Sequence, residues 1–123
     1  MIHDGQIVLF SFPQTDLIAG KLRPALVLRR LPGPHGDWLV CMISSQLRCE
    51  VQGVDEVLRS ADEDFPAAGL KQDSVIRVTR VAVVAAASLQ GTIGEVSEER
   101  LTRMRSRLAE WIVGVTDRKM AQR

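Results

Sequence analysis

Arg23 stands at the head of an apolar segment, residues 25–29, and Ser44-Ser45-Gln46 stands at the tail of another, residues 38–43. If both segments are strands, these polar groups sit at strand ends, where a sheet holds the side chain and a loop shapes a pocket. A guanidinium forks onto phosphate through two parallel hydrogen bonds, stays charged at any relevant pH and can stabilise charge developing on a phosphoryl group. A hydroxyl beside it can orient a ribose or hydrogen-bond a phosphate. Together they could support RNA cleavage by the substrate's own 2′-hydroxyl, which needs positioning and charge stabilisation more than an enzyme nucleophile. A plainer reading serves the same residues: Arg23 pairs with Asp16 at the surface and the serines end a strand. Residue types alone favour that plainer reading.

Other reactive groups are sparse. The two cysteines, Cys41 and Cys49, lack the CxxC spacing of metal or redox motifs and read as ordinary thiols. The two histidines are far apart, His3 near the start and His35 in a Gly/Pro turn, so neither a metal nor another cofactor is expected. His35 could act as acid or base only if its loop folded over the site; a solvated turn residue is the plainer alternative. Arg77 and Arg80 could reach phosphates from a strand or form its solvated face. Arg103, Arg105 and Arg107 could contact RNA or a protein partner, with a wet helix face the plainer reading, and Trp38 and Trp111 could stack on bases, with core or dimer contacts the plainer reading.

The elements that must position these groups follow from hydropathy and breakers. Residues 6–12 form a short β-rich run that stops at Pro13. Pro24 cannot donate to a ladder, so it belongs at the start of the second strand or at a bulge and holds Arg23 extended. Residues 38–43 are apolar on both faces, the pattern of a covered central strand. Residues 47–58 are assigned as strand, residues 60–65 as a capped acidic turn with one short helix stopped by Pro66, and residues 75–81 as a strand continued past a bend by 83–87. Ser97 should cap a helix whose first turn holds Glu98 and Glu99 and whose apolar stripe runs through Leu101, Met104, Leu108, Trp111, Ile112 and Val115. Residues 1–116 are expected to form one domain, mainly β (α+β), with 117–123 a frayed tail.

The 123 residues suffice for one core and are too few for two ordinary domains. A balance of 46% hydrophobic and 25% charged residues is that of a globular domain, and a net charge of +1 means that any basic surface must be local. The sequence contains no basic-then-apolar leader and no stretch of membrane-spanning length, so a cytoplasmic protein without membrane contact is expected.

Several segments in order resemble the PemK/MazF family of toxin ribonucleases. Residues 5–17 and 20–28, with Gly5-Gln6-Ile7-Val8 and Lys21-Leu22-Arg23-Pro24-Ala25-Leu26-Val27-Leu28, match its N-terminal pattern. Ile43-Ser44-Ser45-Gln46, then residues 69–78 from Gly69-Leu70-Lys71 to Arg77-Val78, and Ile93-Gly94-Glu95-Val96-Ser97 match later elements, so the likeness spans roughly residues 5–115. The resemblance implies a small SH3-like β-barrel with a C-terminal helix, a homodimer, and the toxin of a type II toxin–antitoxin system. It implies metal-independent, sequence-specific cleavage of single-stranded RNA (mRNA), leaving a cyclic phosphate and a 5′-hydroxyl. Carried over by position, Arg23 and Ser44 match the catalytic arginine and threonine. Thr15, Asp16, Lys21, Ser45, Gln46 and Arg77 become substrate contacts, and an antitoxin protein the partner. Two departures stand out: Thr15-Asp16-Leu17 replaces the family's G-x-E, and Ser44 lacks the methyl that stiffens threonine's χ1. Because fold does not fix function, a non-catalytic inhibitor of a protein target such as a topoisomerase, or a degenerate RNA-binding module, are the alternatives.

Overall fold

The structure, a computed structural model, describes residues 1–11 and 21–115. Its strands are β1 (Gln6–Phe10), β2 (Arg23–Arg30), β3 (Asp37–Ser44), β4 (Glu56–Leu58), β5 (Ser74–Ala85) and β6 (Thr92–Glu95). A short helix α1 (Phe65–Ala68) precedes β5, and α2 (Glu98–Val113) follows β6. The strands form one antiparallel sheet in the order β4-β5-β3-β2-β1-β6, curled and backed by α2, as the mainly β expectation with a C-terminal helix requires. Residues 12–20, with Thr15 and Asp16, and residues 116–123 lie outside the described residues.

Alternation divides the side chains between two faces. Ile7, Leu26, Cys41, Ile43, Ile76 and Val78 pack with Leu101, Met104 and Leu108 of α2, so the helix stripe covers one face. Val8, Ala25, Val27, Val40 and Val84 form a second cluster on the other. Core cohesion is therefore split by the sheet, and its central strands β2 and β3 are apolar on both sides, as the run at residues 38–43 demands.

Four expectations give way. Of residues 47–58, only Glu56–Leu58 is strand, because Leu47–Cys49 makes a 3₁₀ turn and the following loop winds around the buried carboxylate of Asp55. Asp55 accepts from Val51 N at 3.0 Å and from Val78 N at 3.2 Å. The second bond is needed because β5 breaks register with β3 after Arg77, leaving a buried N–H that must find a partner. Pro66 does not stop α1 but opens it, in the first turn where its missing N–H costs nothing; Gly69 at φ 74° ends the helix. Thr92–Glu95, assigned to no element above, is an edge strand on β1. Its Gly94 lets α1 approach, since a Cβ there would stand 2.3 Å from the Ala67 carbonyl oxygen. The arginines of α2 are also less solvated than a wet face. Arg103 bonds Glu56 at 2.9 and 3.1 Å, Arg105 donates to Leu28 O at 2.8 Å and pairs with Asp4, and Arg107 donates to Asp55 O at 2.6 Å.

The expected cap of α2 is present, with Ser97 Oγ accepting from Arg100 N at 3.2 Å. Arg100 itself is buried in the first helical turn, where a cation opposes the helix dipole. It is held by Glu56 at 2.5 Å, Asp64 at 2.8 Å and Asp62 at 3.0 Å. Thus the acids of the 60–65 segment face this arginine rather than capping α1, whose Asp64 makes no side-chain cap. Burial pushes the Asp64 carboxyl up, but the hydrogen bonds from Arg100 and Ser97 N and the Arg100 charge outweigh it and hold the group below its ordinary 3.8.

Asp64 therefore contributes stability above about pH 4 that is lost as pH falls through its lower folded value. Removing Arg100 leaves three acids crowded without a cation, so Arg100→Met should cost on the order of 3–5 kcal/mol at pH 7. Its stability should then rise as pH falls from 7 toward 5, opposite in sign to wild type at acid pH. Urea unfolding across pH checks both, and a wild-type-like slope in the variant contradicts the ion network.

Candidate functional site

Strand register brings the sequence candidates together. Phe10 pairs with Arg23 across β1 and β2, and Ala25 pairs with Met42 across β2 and β3. Two residues beyond that last pair, Arg23 opens β2 and Ser44 closes β3 at the same end of the sheet, and alternation puts both on the face that also carries Val8, Ala25 and Val40. Across β3 and β5, Ser44 pairs with Val75 and Met42 with Arg77, so Arg77 lies diagonal to Ser44 on the same face. Three side chains from three strands thus share one end of one sheet face.

Each is held differently. Pro24 is paired within β2 opposite Leu9, so Arg23 is fixed in extended backbone at the strand's first position. Ser44 is buried and its Oγ accepts from Gln46 N at 3.1 Å. That bond uses one acceptor lone pair, keeps the O–H for another partner, and supplies the rotamer restraint that a threonine methyl would otherwise give. Arg77 is half-buried, and its Nε is fully enclosed with no hydrogen-bond partner among the described residues. An enclosed, unsatisfied guanidinium N–H costs stability unless an acceptor arrives.

The remaining candidates divide. Lys21, Ser45 and Gln46 are exposed at the same strand ends, but the Gln46 amide is tied by its Oε1 to Arg48 at 2.9 Å. Thr15 and Asp16 lie outside the described residues, which leaves the Arg23–Asp16 pairing there too. His35 sits in the turn joining β2 to β3, at the opposite end of both strands from Arg23 and Ser44. Seven residues of strand separate the ends, roughly 23 Å, so His35 is not part of the site. Cys41 belongs to the core, where burial, reinforced by the Asp55 charge, pushes its thiol up and keeps it protonated.

Under the same strand ends, on the α2 side of the sheet, a cavity of about 390 Å³ opens. Leu9, Pro24, Ile43, Leu70 and Ile93 form its apolar wall, and Arg23, Ser45, Lys71 and Gln72 its polar positions. Residue type and spacing give Lys71 and Gln72 no role, although both lie inside the Gly69–Val78 motif. Their adjacency to Arg23 depends on α1 folding the chain back against β6. Among the described residues no group of three or more His, Cys, Asp or Glu side chains could hold a metal, and no helix is long and apolar enough to cross a membrane.

Residues 3–112 match a known family, the PemK-like, MazF-like toxins of type II toxin–antitoxin systems. No curated protein matches the chain by sequence. Among solved structures, the Mycobacterium tuberculosis toxin MazF-mt6 is similar, with TM-score 0.58 and 21% identity over 91% of this chain and 96% of its own. MazF in the MazE-MazF structure from Deinococcus radiodurans aligns with TM-score 0.62 and 21% identity, covering 89% and 92%. A mycobacterial endoribonuclease in complex with its cognate antitoxin aligns with TM-score 0.60 and 13% identity, covering 89% and 92%. At these identities the structures speak for the fold.

Replacing Arg77 by the similarly shaped, uncharged methionine removes the orphaned N–H. Arg77→Met should therefore raise stability by about 1–2 kcal/mol, read as a higher urea midpoint at unchanged slope. A destabilised variant would show that Arg77 supports the fold rather than waiting for an anion.

Proposed function

Since this chain belongs to the PemK-like, MazF-like toxins of type II toxin–antitoxin systems, we propose that it is a metal-independent, sequence-specific endoribonuclease acting on single-stranded RNA, mRNA included, in the cytoplasm. The observation that carries this is the convergence of Arg23, Ser44 and Arg77, from three neighbouring strands, on one end of one sheet face, with Arg77 diagonal to Ser44. In the proposed reaction the ribose 2′-oxygen attacks the adjacent phosphorus and the bond to the 5′-oxygen breaks. The 2′-proton is lost, the leaving oxygen gains one, and the products are a cyclic phosphate and a 5′-hydroxyl. Arg23 donates to the phosphoryl oxygens as negative charge builds, a role suited to a group charged at any working pH. The same property disqualifies it as the base. Ser44 donates its O–H to the substrate and fixes its position. Arg77, Lys21, Ser45 and Gln46 contact the chain around the scissile bond, together with Thr15 and Asp16.

The partner in this reading is an antitoxin protein, as in the two similar structures solved with their antitoxins. The second partner is another copy of the chain. Trp111, Ile112 and Val113 leave 41%, 69% and 67% of their surface exposed at the end of α2. A groove lined by Leu28, Leu39, Leu108 and Ile112 continues this patch toward β5, where exposed Val83 pairs with Leu39. Such a contiguous apolar surface is covered by twofold pairing.

Arg23→Ala should abolish cleavage of a mixed RNA pool in excess chelator while leaving the protein folded, its unfolding free energy within about 1 kcal/mol of wild type. Lysine at the position should rescue poorly for want of the planar fork. Full cleavage by the folded alanine variant removes Arg23 from the reaction; activity lost in chelator and restored by magnesium removes the metal-free mechanism. Intact RNA with purified wild type favours inhibition of a protein target.

Assembly has its own test. Ile112→Asp should give a monomer by sedimentation at micromolar concentration, where wild type sediments as a dimer. A wild-type monomer with full activity would remove the second copy from the proposal.

A further inference from the structure

The cavity beside Arg23 has no part in the reaction so far, and its shape and chemistry are specific. At about 390 Å³ it is at the small end of the range for ligand pockets, roughly 300–1,000 Å³. It has room for one planar heterocycle and not for a folded length of chain. Its walls are aliphatic, with Leu9 and Ile43 from the sheet, Leu70 from the loop after α1 and Ile93 from β6. Arg23 and Lys71 are the charged residues of the lining, and it contains no carboxylate. Among the described residues neither the Lys71 ammonium nor the Gln72 side-chain amide makes a hydrogen bond or ion pair, and both residues are exposed.

Resting on the endoribonuclease reading, we propose that this cavity receives one nucleobase of the RNA, next to the phosphate held by Arg23, and that Gln72 reads its edge. Continuity and chemistry combine here. Arg23 lines the cavity at the strand end where β3 closes on Ser44, so a phosphate on Arg23 leaves its neighbouring base at the cavity mouth as the RNA rounds the end of the sheet. Aliphatic walls accept the flat apolar faces of any base, so they contribute affinity without choice. Choice requires a hydrogen-bonding group at the base edge, and the Gln72 amide can both donate and accept there. Lys71, a compact point charge, attracts the flanking phosphate and carries no sequence information.

The pocket owes its form to the two glycines of the α1–β6 contact. A Cβ on Gly69 would lie 2.0 Å from Ile93 O, so only glycine there lets the loop bearing Leu70, Lys71 and Gln72 sit against β6. The positions that bring α1 to the sheet edge therefore also close one wall of the cavity.

The test maps RNA ends produced from a randomised single-stranded pool by wild type, Gln72→Leu and Gln72→Glu. Leucine keeps the volume and removes the amide, so discrimination at one nucleotide flanking the cut should fall on the order of ten-fold. Glutamate removes both donors and should shift preference at that same nucleotide toward bases offering a donor. Lys71→Gln should raise KM by a similar factor for all sequences and leave the profile alone. Gln72 is exposed, so thermal melting should show all variants folded. Cleavage profiles unchanged in both Gln72 variants overturn the pocket's role in choosing a base. That role also falls if these variants change inhibition by an antitoxin peptide without changing the profile, because the cavity then holds a protein side chain. Wild type that leaves the pool intact overturns the endoribonuclease reading itself, a result separable from the other two.

Discussion

Most of the tertiary arrangement turns on Arg100. Its guanidinium is buried against Glu56, Asp62 and Asp64, and those acids belong to β4 and to the turn leading into α1. One side chain thereby ties the start of the long helix to the edge of the sheet and to the short helix. Asp64 also accepts from Ser97 N at 3.1 Å, so the same carboxylate locks the residue that caps α2. A buried cation with three acids is a poor source of net stability compared with apolar packing, but it tolerates few alternative geometries. Its effect here is on arrangement: α1 has one place to go, and that place is against Gly94 of β6.

The site inherits this order. With α1 pinned, the segment from Gly69 to Gln72 crosses the end of the sheet beneath Arg23 and walls the cavity. With β2 and β3 packed on both faces, the register that brings Arg23 and Ser44 to one end of the sheet cannot slip by one residue without turning the core outward. Positioning of the polar pair is thus a by-product of burying Leu26, Cys41, Val27 and Val40 on opposite sides of one sheet.

Polar satisfaction is not uniform among the enclosed polar groups of this molecule. Asp55, equally buried, has both carboxylate oxygens occupied by backbone donors, and Arg100 has all its nitrogens committed. Arg77 is different, with an enclosed Nε that bonds to nothing among the described residues. It sits one strand from Ser44, and the contrast is with Arg100, whose nitrogens are all committed within the fold.

Local pattern is enough for much of this protein. Residues 25–29 and 38–43 declare covered strands, Pro24 places Arg23 at a strand start, and Ser97 with Glu98 and Glu99 marks the beginning of α2, because each depends on neighbours within a few positions. The motifs also carry the family, and with it Arg23 and Ser44 as a pair to look for. What the chain does not disclose locally are β6, hidden by Gly91 and Gly94; the role of Pro66 as an opener; the partners of Arg103, Arg105 and Arg107; and the cavity. An arginine at position 100, set against the helix dipole, is the one local hint of an acidic partner. Its partners lie 36 to 44 residues away in sequence. Hydropathy and capping are short-range properties legible along the chain, whereas ion pairing, close glycine contacts and the adjacency of Gln72 to Arg23 exist only once distant segments have been packed together.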